Sequence, residues 1–293
     1  MRKIVFFLMS QKGYESLQHF IDVFGRSPIS FVVGARDEHI QKDYYDEIKQ
    51  VCVKNEIVFF DRKDAFTVDT DYMIAISWRW LISQDRARLI VMHDSLLPRY
   101  RGFAPLVNCL VNGEPEIGVT ALFASDEYDR GDIIAQRSIP VTYPIKISEA
   151  IHRVSVCYKW LIEEVGKNIT SGQVIRAEKQ DETQASYSLW LDDNDYMINW
   201  NRDAAFIKRF IDAVGFPYSG ASALMGDKKV RVLEAMVLDD LKVENRSPGK
   251  IIFVQDGKPV VVCGKGLLKI ISMTDDTSTQ EILPLKRFRV KFT

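Results

Sequence analysis

Charge of one sign is missing from this sequence: 39 Lys or Arg stand against 40 Asp or Glu, a formal net charge of −1. That balance gives no sign of a nucleic-acid or membrane surface. Cysteine is scarce. The four residues Cys52, Cys109, Cys157 and Cys263 lie far apart in apolar surroundings, which excludes metal-ligand spacing and a disulfide framework and marks them as reduced core thiols. No metal site is expected. No apolar run approaches the ~20 residues needed to cross a bilayer. Met1-Arg2-Lys3 leads into a strand without the cleavage pattern of a signal peptide, so a cytoplasmic protein with no membrane partner is expected. Gly-x-Gly-x-x-Gly is absent, which removes the dinucleotide fingerprint. Internal repeats and low-complexity tracts are absent too.

What is present suits two domains, since 293 residues are many for one core. Lys3 to Met9 is a run rich in Ile, Val and Phe, typical of a central strand, and Ser10-Gln11-Lys12-Gly13 turns the chain into an amphipathic helix near Tyr14 to Phe24. Tyr72 to Ile76 reads as a strand leading into Ser77-Trp78-Arg79-Trp80-Leu81, and Leu89 to Met92 as a buried parallel strand. Amphipathic spacing continues through Ile147 to Ile169, Ser171-Gly172 ends it, and Ala177 to Ser186 is a polar, strand-poor stretch. Beyond it come a helix near Ala204 to Ile211 and short β-rich runs at 222–224, 230–235, 250–254, 259–263 and 267–272, punctuated by turn residues as a small barrel requires. The expected fold is therefore α/β with a mostly parallel sheet over residues 1–180, a linker at 181–200, and a smaller β-barrel domain over 201–293.

The chemistry concentrates after the strand at 89–92. His93 would sit at its carboxyl end, where ligands bind in open α/β sheets. The loop Asp94-Ser95-Leu96-Leu97-Pro98-Arg99-Tyr100-Arg101-Gly102 is shaped by proline and glycine. Pro105 suits the first turn of a helix over 106–111. A second apolar run, Gly118 to Phe123, reads as a strand whose far end delivers Asp126, Asp129 and Asp132, so two strand ends are expected to converge on one site. An imidazole beside a carboxylate equips that site to move protons around a reacting carbonyl. His93 taken alone also fits a satisfied histidine at a strand end, and Asp126 and Asp132 fit loop capping as well as function.

The order His-x-Ser-Leu-Leu-Pro-x-x-x-Gly at 93–102, Gly-Val-Thr at 118–120 and Asp-x-Gly-Asp at 129–132 resembles the 10-formyltetrahydrofolate-dependent formyltransferases. Arg101 to Leu106, Trp200 and Val214 to Tyr218 bring it nearer the enzymes that formylate nucleotide-linked amino sugars than methionyl-tRNA formyltransferase. The resemblance implies a Rossmann-like catalytic domain, an OB-like carboxyl-terminal barrel, and N10-formyltetrahydrofolate as formyl donor. Its product would enter a surface glycan such as the O-antigen of lipopolysaccharide. It implies catalytic roles for His93, Asp129 and Ser95. A pterin slot would be made largely by backbone of Arg79, Trp80 and Leu81 and of Ala124 to Tyr128, with Asp126, Tyr128 and Leu97 included. Without the resemblance, tryptophans in an apolar stretch more often pack a core. Ser10, Lys12, Arg101, Gly102 and Phe103 are the acceptor-side candidates. Lys12 at a helix amino terminus fits a nucleotide diphosphate or an ordinary solvated turn. Phe103 fits the apolar face of a deoxy sugar or packing within its own loop.

One position departs from the family pattern. Relatives usually place Asn two residues before the histidine, and here that position is Val91. Losing one oxyanion donor typically costs about 3 kcal/mol of transition-state stabilisation. The replacements open to this chain are the Ser95 hydroxyl, the Asn108 side chain, backbone amides of loop 93–102, and protonated His93. For the acceptor, residues 186–293 hold sixteen Lys or Arg against fourteen Asp or Glu, a surplus of two, where a tRNA-binding barrel should be distinctly basic. The basic tail Lys286 to Lys291 alternates with apolar residues and reads as an edge strand. A nucleotide-linked amino sugar therefore ranks before tRNA. A catalytically silent binding scaffold is the third reading. Sugar-modifying relatives are often homodimers, though no residue here demands it.

Overall fold

In the computed structural model, which describes residues 2–38, 40–83, 87–285 and 288–293, five short apolar strands pair in parallel. They are Ile4–Leu8 (β1), Ile29–Gly34 (β2), Val58–Asp61 (β3), Tyr72–Ile76 (β4) and Arg88–His93 (β5), in the order β3-β2-β1-β4-β5. Parallel neighbours need crossovers, and Ser10–Phe24 (α1) and Tyr45–Lys54 (α2) supply two of them. Every residue of β1 and β4 is buried, as befits strands covered on both faces. The first helix starts at Ser10 itself, so Lys12 lies in its first turn and is buried. The solvated turn considered for this stretch is thereby corrected.

Beyond His93 the pattern changes. Arg101–Gly102 (β6) and Pro105–Asn112 (α3) precede Glu116–Phe123 (β7), which joins the sheet antiparallel to β5, and Ile133–Pro140 (β8) follows antiparallel to β7. His93 pairs with Thr120 and Ile90 with Phe123, so the far end of β7 lies beside the start of β5. The expected convergence of two strand ends on His93 is thus corrected: loop 124–132 carries Asp129 back along β5. A run of apolar residues does not encode strand direction, which is why the sequence left this open. Ile147–Thr170 (α4) follows, and Tyr187–Ser188 (β9) pairs in parallel with β6.

The chain divides into two compact units. One holds the residues through Leu106, Pro115–Val141 and Glu149–Leu189; the other holds Val107–Glu114, Thr142–Ser148 and Trp190–Thr293. The expected linker at 181–200 therefore differs from the structure, because Ser186 and Ser188 are bound to loop 100–103 of the first unit.

In the second unit, the Asp203 side chain accepts the Phe206 amide at 2.8 Å and starts Ala204–Ala213 (α5). Ala221–Met225 (β10), Lys228–Leu238 (β11), Ile251–Gln255 (β12), Lys258–Val262 (β13) and Leu267–Asp275 (β14) form an antiparallel sheet in the order β10-β11-β14-β13-β12. The carboxyl-terminal residues bridge its two edges. Leu224 and Thr293 exchange backbone hydrogen bonds of 2.7 and 3.0 Å, and the Phe292 amide donates to Gly249 at 2.8 Å. Lys291 bridges Lys250 beside β12. Phe292, 1% exposed, lies 5.6 Å from the Trp200 ring. Of the tail expected as an edge strand, Lys286 and Arg287 lie outside the described residues.

Candidate active site

His93 ends β5 with its ring buried. Nε2 lies 2.8 Å from the Tyr100 carbonyl, which can only accept, so this nitrogen carries the proton and the tautomer is assigned by its partner. Nδ1 faces Asp129 Oδ1 at 3.4 Å. A proton arriving on Nδ1 therefore sits beside a carboxylate. The second carboxylate oxygen, Oδ2, accepts the Gly102 amide at 2.8 Å. Asp129 itself has φ of +57°, a left-handed conformation that Asp tolerates better than most residues.

The loop between these groups is built from below by Thr120. Its hydroxyl donates to the Ser95 carbonyl at 2.7 Å and accepts from the Leu97 amide at 3.1 Å and from Gln136 Nε2 at 2.8 Å. Gly118, two residues earlier, leaves room for Leu96: a Cβ there would lie 2.6 Å from both Leu96 Cδ2 and the Arg137 carbonyl. The Gly-Val-Thr run is thus a seat for the Ser-Leu-Leu-Pro run. Ser95 belongs to this framework, because its buried hydroxyl donates to the Arg99 carbonyl at 2.7 Å. That corrects the expectation of a catalytic or oxyanion-binding Ser95. Leu97 is likewise buried, and its backbone is occupied too, the amide donating to Thr120 at 3.1 Å and the carbonyl accepting from Gln136 at 2.8 Å, which corrects Leu97 as a cofactor-binding residue.

Arg101 is also not where it was expected. Its side chain is 0% exposed and makes a two-pronged pair with Glu182 at 2.8 and 2.9 Å. Nε and Nη2 reach Gln180 Oε1 at 3.1 and 2.7 Å. No donor is left facing solvent for an acceptor phosphate or carboxylate, which corrects Arg101 as a substrate-binding side chain. The guanidinium holds Glu182 down to a pKa of about 2, through the hydrogen bond and the charge together. Gly102 has φ of +99°, and a Cβ there would lie 2.5 Å from the Ser188 carbonyl. Only glycine lets β6 and β9 approach while its amide reaches Asp129.

Lys12 is engaged on the other side of His93. Its ammonium pairs with the Asp94 carboxylate, whose other oxygen accepts the Tyr158 hydroxyl at 2.6 Å. Burial, with Asp94 beside it, pushes the Tyr158 phenol well above its ordinary value. The trio pins α1, the residue after β5 and α4 together. Lys12 is therefore not free for a diphosphate. The Ser10 hydroxyl donates to Ser77 Oγ at 2.9 Å, at the start of the turn that follows β4.

Trp78, Ile82, Val91 and Ala124 all pack against one apolar cluster that includes Val5, Phe7, Met73 and Leu89. Val91 shares the face of β5 with His93, two residues on, and is partly exposed. Trp78 and Ala124 come from the two segments expected to form the pterin slot, and Ile82 follows directly on the first. Trp80 packs edge-on to Trp78 at 5.3 Å and carries Arg62 over its face at 4.2 Å. Arg79 pairs with Asp37 at 3.0 Å, and Leu81 is 82% exposed. A cleft of about 390 Å³ opens at the root of loop 124–132, lined by Leu89, Ala124, Ser125, Arg130 and Asp132 among others. Asp126 and Tyr128 are exposed. Phe103 and Tyr128, expected on the acceptor and donor sides respectively, come together with ring centroids 6.1 Å apart. They flank the Gly102–Asp129 contact, one residue from each partner.

Sequence reasoning missed Tyr100, Asp94, Tyr158, Gln180, Glu182 and Ser186. The one available signal was Arg101, since an arginine within a loop that folds inward requires acceptors from somewhere. Among the described residues no cluster of metal ligands occurs, and no helix is long and apolar enough to cross a membrane.

Two family models match the chain: Formyl transferase over residues 62–165 and Formyl transferase, C-terminal domain, over residues 191–282. A methionyl-tRNA formyltransferase of Geobacter sulfurreducens is 34% identical over 183 residues, 62% of this chain and 55% of that protein. The chain thus matches little more than half the length of that relative. The N-formyltransferase from Helicobacter canadensis, solved with folinic acid and dTDP-3-aminofucose, superposes with a TM-score of 0.69 at 17% identity, covering 92% of this chain and 99% of that one. The methionyl-tRNA formyltransferase from Clostridium thermocellum gives 0.57 at 16% identity over 80% of this chain and 93% of that one. At such identities the structural likeness concerns the fold. With both domain models in their expected order on a chain whose motifs bring a histidine and an aspartate together, this protein belongs to the formyl transferase family.

Proposed function

We propose that the protein transfers a formyl group from N10-formyltetrahydrofolate to the amino group of a nucleotide-linked deoxy amino sugar. The observation that carries this reading is the His93–Asp129 pair with its tautomer set by Tyr100. In the neutral ring, Nδ1 is the nitrogen free to take a proton. As the acceptor amine attacks the formyl carbon, its proton passes to Nδ1 next to Asp129. The same proton goes to N10 as the bond from that nitrogen to the formyl carbon breaks, so no covalent enzyme intermediate is required.

For the formyl oxygen, the field of replacements for the missing amide narrows. Ser95 donates to Arg99. The amides of Ser95, Leu97, Arg99, Tyr100, Arg101, Gly102 and Phe103 are each bound within the fold. The donor this reading assigns is the charged His93 ring, two residues from Val91 on the same face of β5. The co-substrate would lie along the turn at 77–81 and loop 124–128, from which Trp78 and Ala124 pack against one apolar cluster, a chemistry that suits a pterin ring.

An uncharged sugar acceptor is supported by the Phe103–Tyr128 pair beside the reacting groups, by the withdrawal of Arg101 from solvent, and by the small basic surplus of residues 186–293. The curated relatives favour a second reading, formylation of methionyl-tRNA, since that is the name they carry. Incubation with 10-formyltetrahydrofolate, a panel of nucleotide-linked amino sugars and charged initiator tRNA, with mass detection of the formamide, separates the two. His93→Asn and Asp129→Asn are each expected to lower kcat by about 100-fold or more with the fold intact. Near-normal turnover in either variant would refute the roles assigned here. No formamide on any acceptor would favour the silent scaffold.

A further inference from the structure

We infer that Gln180 is a positioning residue for Asp129, working with the buried Arg101, so that segment 178–188 is a strap that sets the geometry of the reacting pair. The inference rests on the reading of His93 and Asp129 as that pair. Asp129 stands in a left-handed conformation on an exposed loop, and something must hold it there. Both hydrogens of the Gln180 amide do so, donating to the Asp129 carbonyl at 2.7 Å and to the Gly131 carbonyl at 2.8 Å. The Gln180 oxygen in turn accepts two bonds from Arg101. Arg101 adjoins Gly102, whose amide grips the Asp129 carboxylate. The carboxylate and the main chain of one residue are thus referred to the same arginine by two routes.

The strap is tied at both ends. Ile133 and Glu178 exchange backbone hydrogen bonds of 2.7 and 2.8 Å. Ser186 accepts the Tyr100 amide on Oγ at 2.9 Å and the Arg101 amide on its carbonyl at 2.8 Å. Tyr100 supplies the carbonyl that fixes the His93 ring. One short segment therefore bears on the holders of both reacting side chains, whereas a linker would touch neither.

Gln180→Glu keeps acceptors for Arg101, removes both donors to the Asp129 loop and sets a carboxylate oxygen against the two carbonyls they held. The expected result is a fall in kcat of about ten-fold or more in a protein that still folds, with KM for either substrate nearly unchanged. Placed on Asp129→Asn, the same change is expected to add less than about two-fold, since a residue acting through Asp129 has nothing left to position. Wild-type kcat in Gln180→Glu, or a full second loss on top of Asp129→Asn, would overturn the inference. Gln180→Met, uncharged and of similar size, replaces it should the first variant not fold. A readout independent of turnover is the ring 15N spectrum of His93 in histidine-labelled protein. Gln180→Glu should move those signals in the direction that Asp129→Asn does; unchanged signals would sink the strap. Should the wild type formylate no acceptor at all, the functional reading fails while these spectra still decide the strap.

Discussion

At the scale of single residues, the site depends on what each neighbour leaves free. Tyr100 occupies one nitrogen of His93 and so assigns base character to the other; Asp129 waits beside that second nitrogen. Val91 is the residue out of pattern, on the same face of β5 and partly exposed. On the proposed function, an amide there would supply the donor that the family pattern carries at this position. Val91→Asn is therefore expected to raise kcat by about ten-fold or more, checked by initial rates with saturating formyl donor. A slower enzyme would mean that the pocket has been rebuilt around valine. Lys12 teaches the opposite lesson: a cation at a helix amino terminus suits an anion on paper, yet here its charge is consumed by half-buried Asp94.

Elements act as seats and straps. Strand β7 presents Gly118 and Thr120 to the loop above it, one providing space and the other hydrogen bonds. Gly118→Ala would drive a methyl against Leu96 and the Arg137 carbonyl, costing about 1–3 kcal/mol as overpacking does. Urea denaturation should show the loss, and Leu96→Ala in the same chain should recover part of it. If the single change is neutral, the seat is softer than the packing implies. The strap at 178–188 has the complementary task, holding from outside what β7 holds from beneath.

For the molecule as a whole, the buried thiols link stability to pH. Burial pushes Cys52 and Cys263 up to about 12, while the same groups ionise near 8.5 in an unfolded chain. The folded state keeps its thiol protons longer. Its advantage is full below pH ~8.5 and declines as pH rises toward the folded value, by at most about 1.4 kcal/mol per thiol per pH unit. The urea midpoint should accordingly drop between pH 8 and pH 10, and drop less in Cys52→Ala/Cys263→Ala. An equal decline in that variant would remove the thiols from the account. Closure of the second unit is also a property of this scale, since residues 290–293 bridge the two edges of a sheet whose strands lie far back in the chain.

Much of this was legible in the residues themselves. Strand β4 ends where its apolar run does, α4 follows its amphipathic spacing, and His93 sits at the strand end to which the run at 89–92 pointed. Such signals are local, because burial of one face imposes a period on the side chains that form it. The pairing of His93 with Asp129 was legible through the family motif. Other features were decided by the tertiary structure. Strand direction reversed at β7, Arg101 and Lys12 turned inward to partners 81 and 82 residues distant, and a polar segment resembling a linker became the support of the Asp129 loop. Charge and polarity in a sequence say what a side chain needs; only the fold determines whether water, a ligand or another part of the chain meets that need.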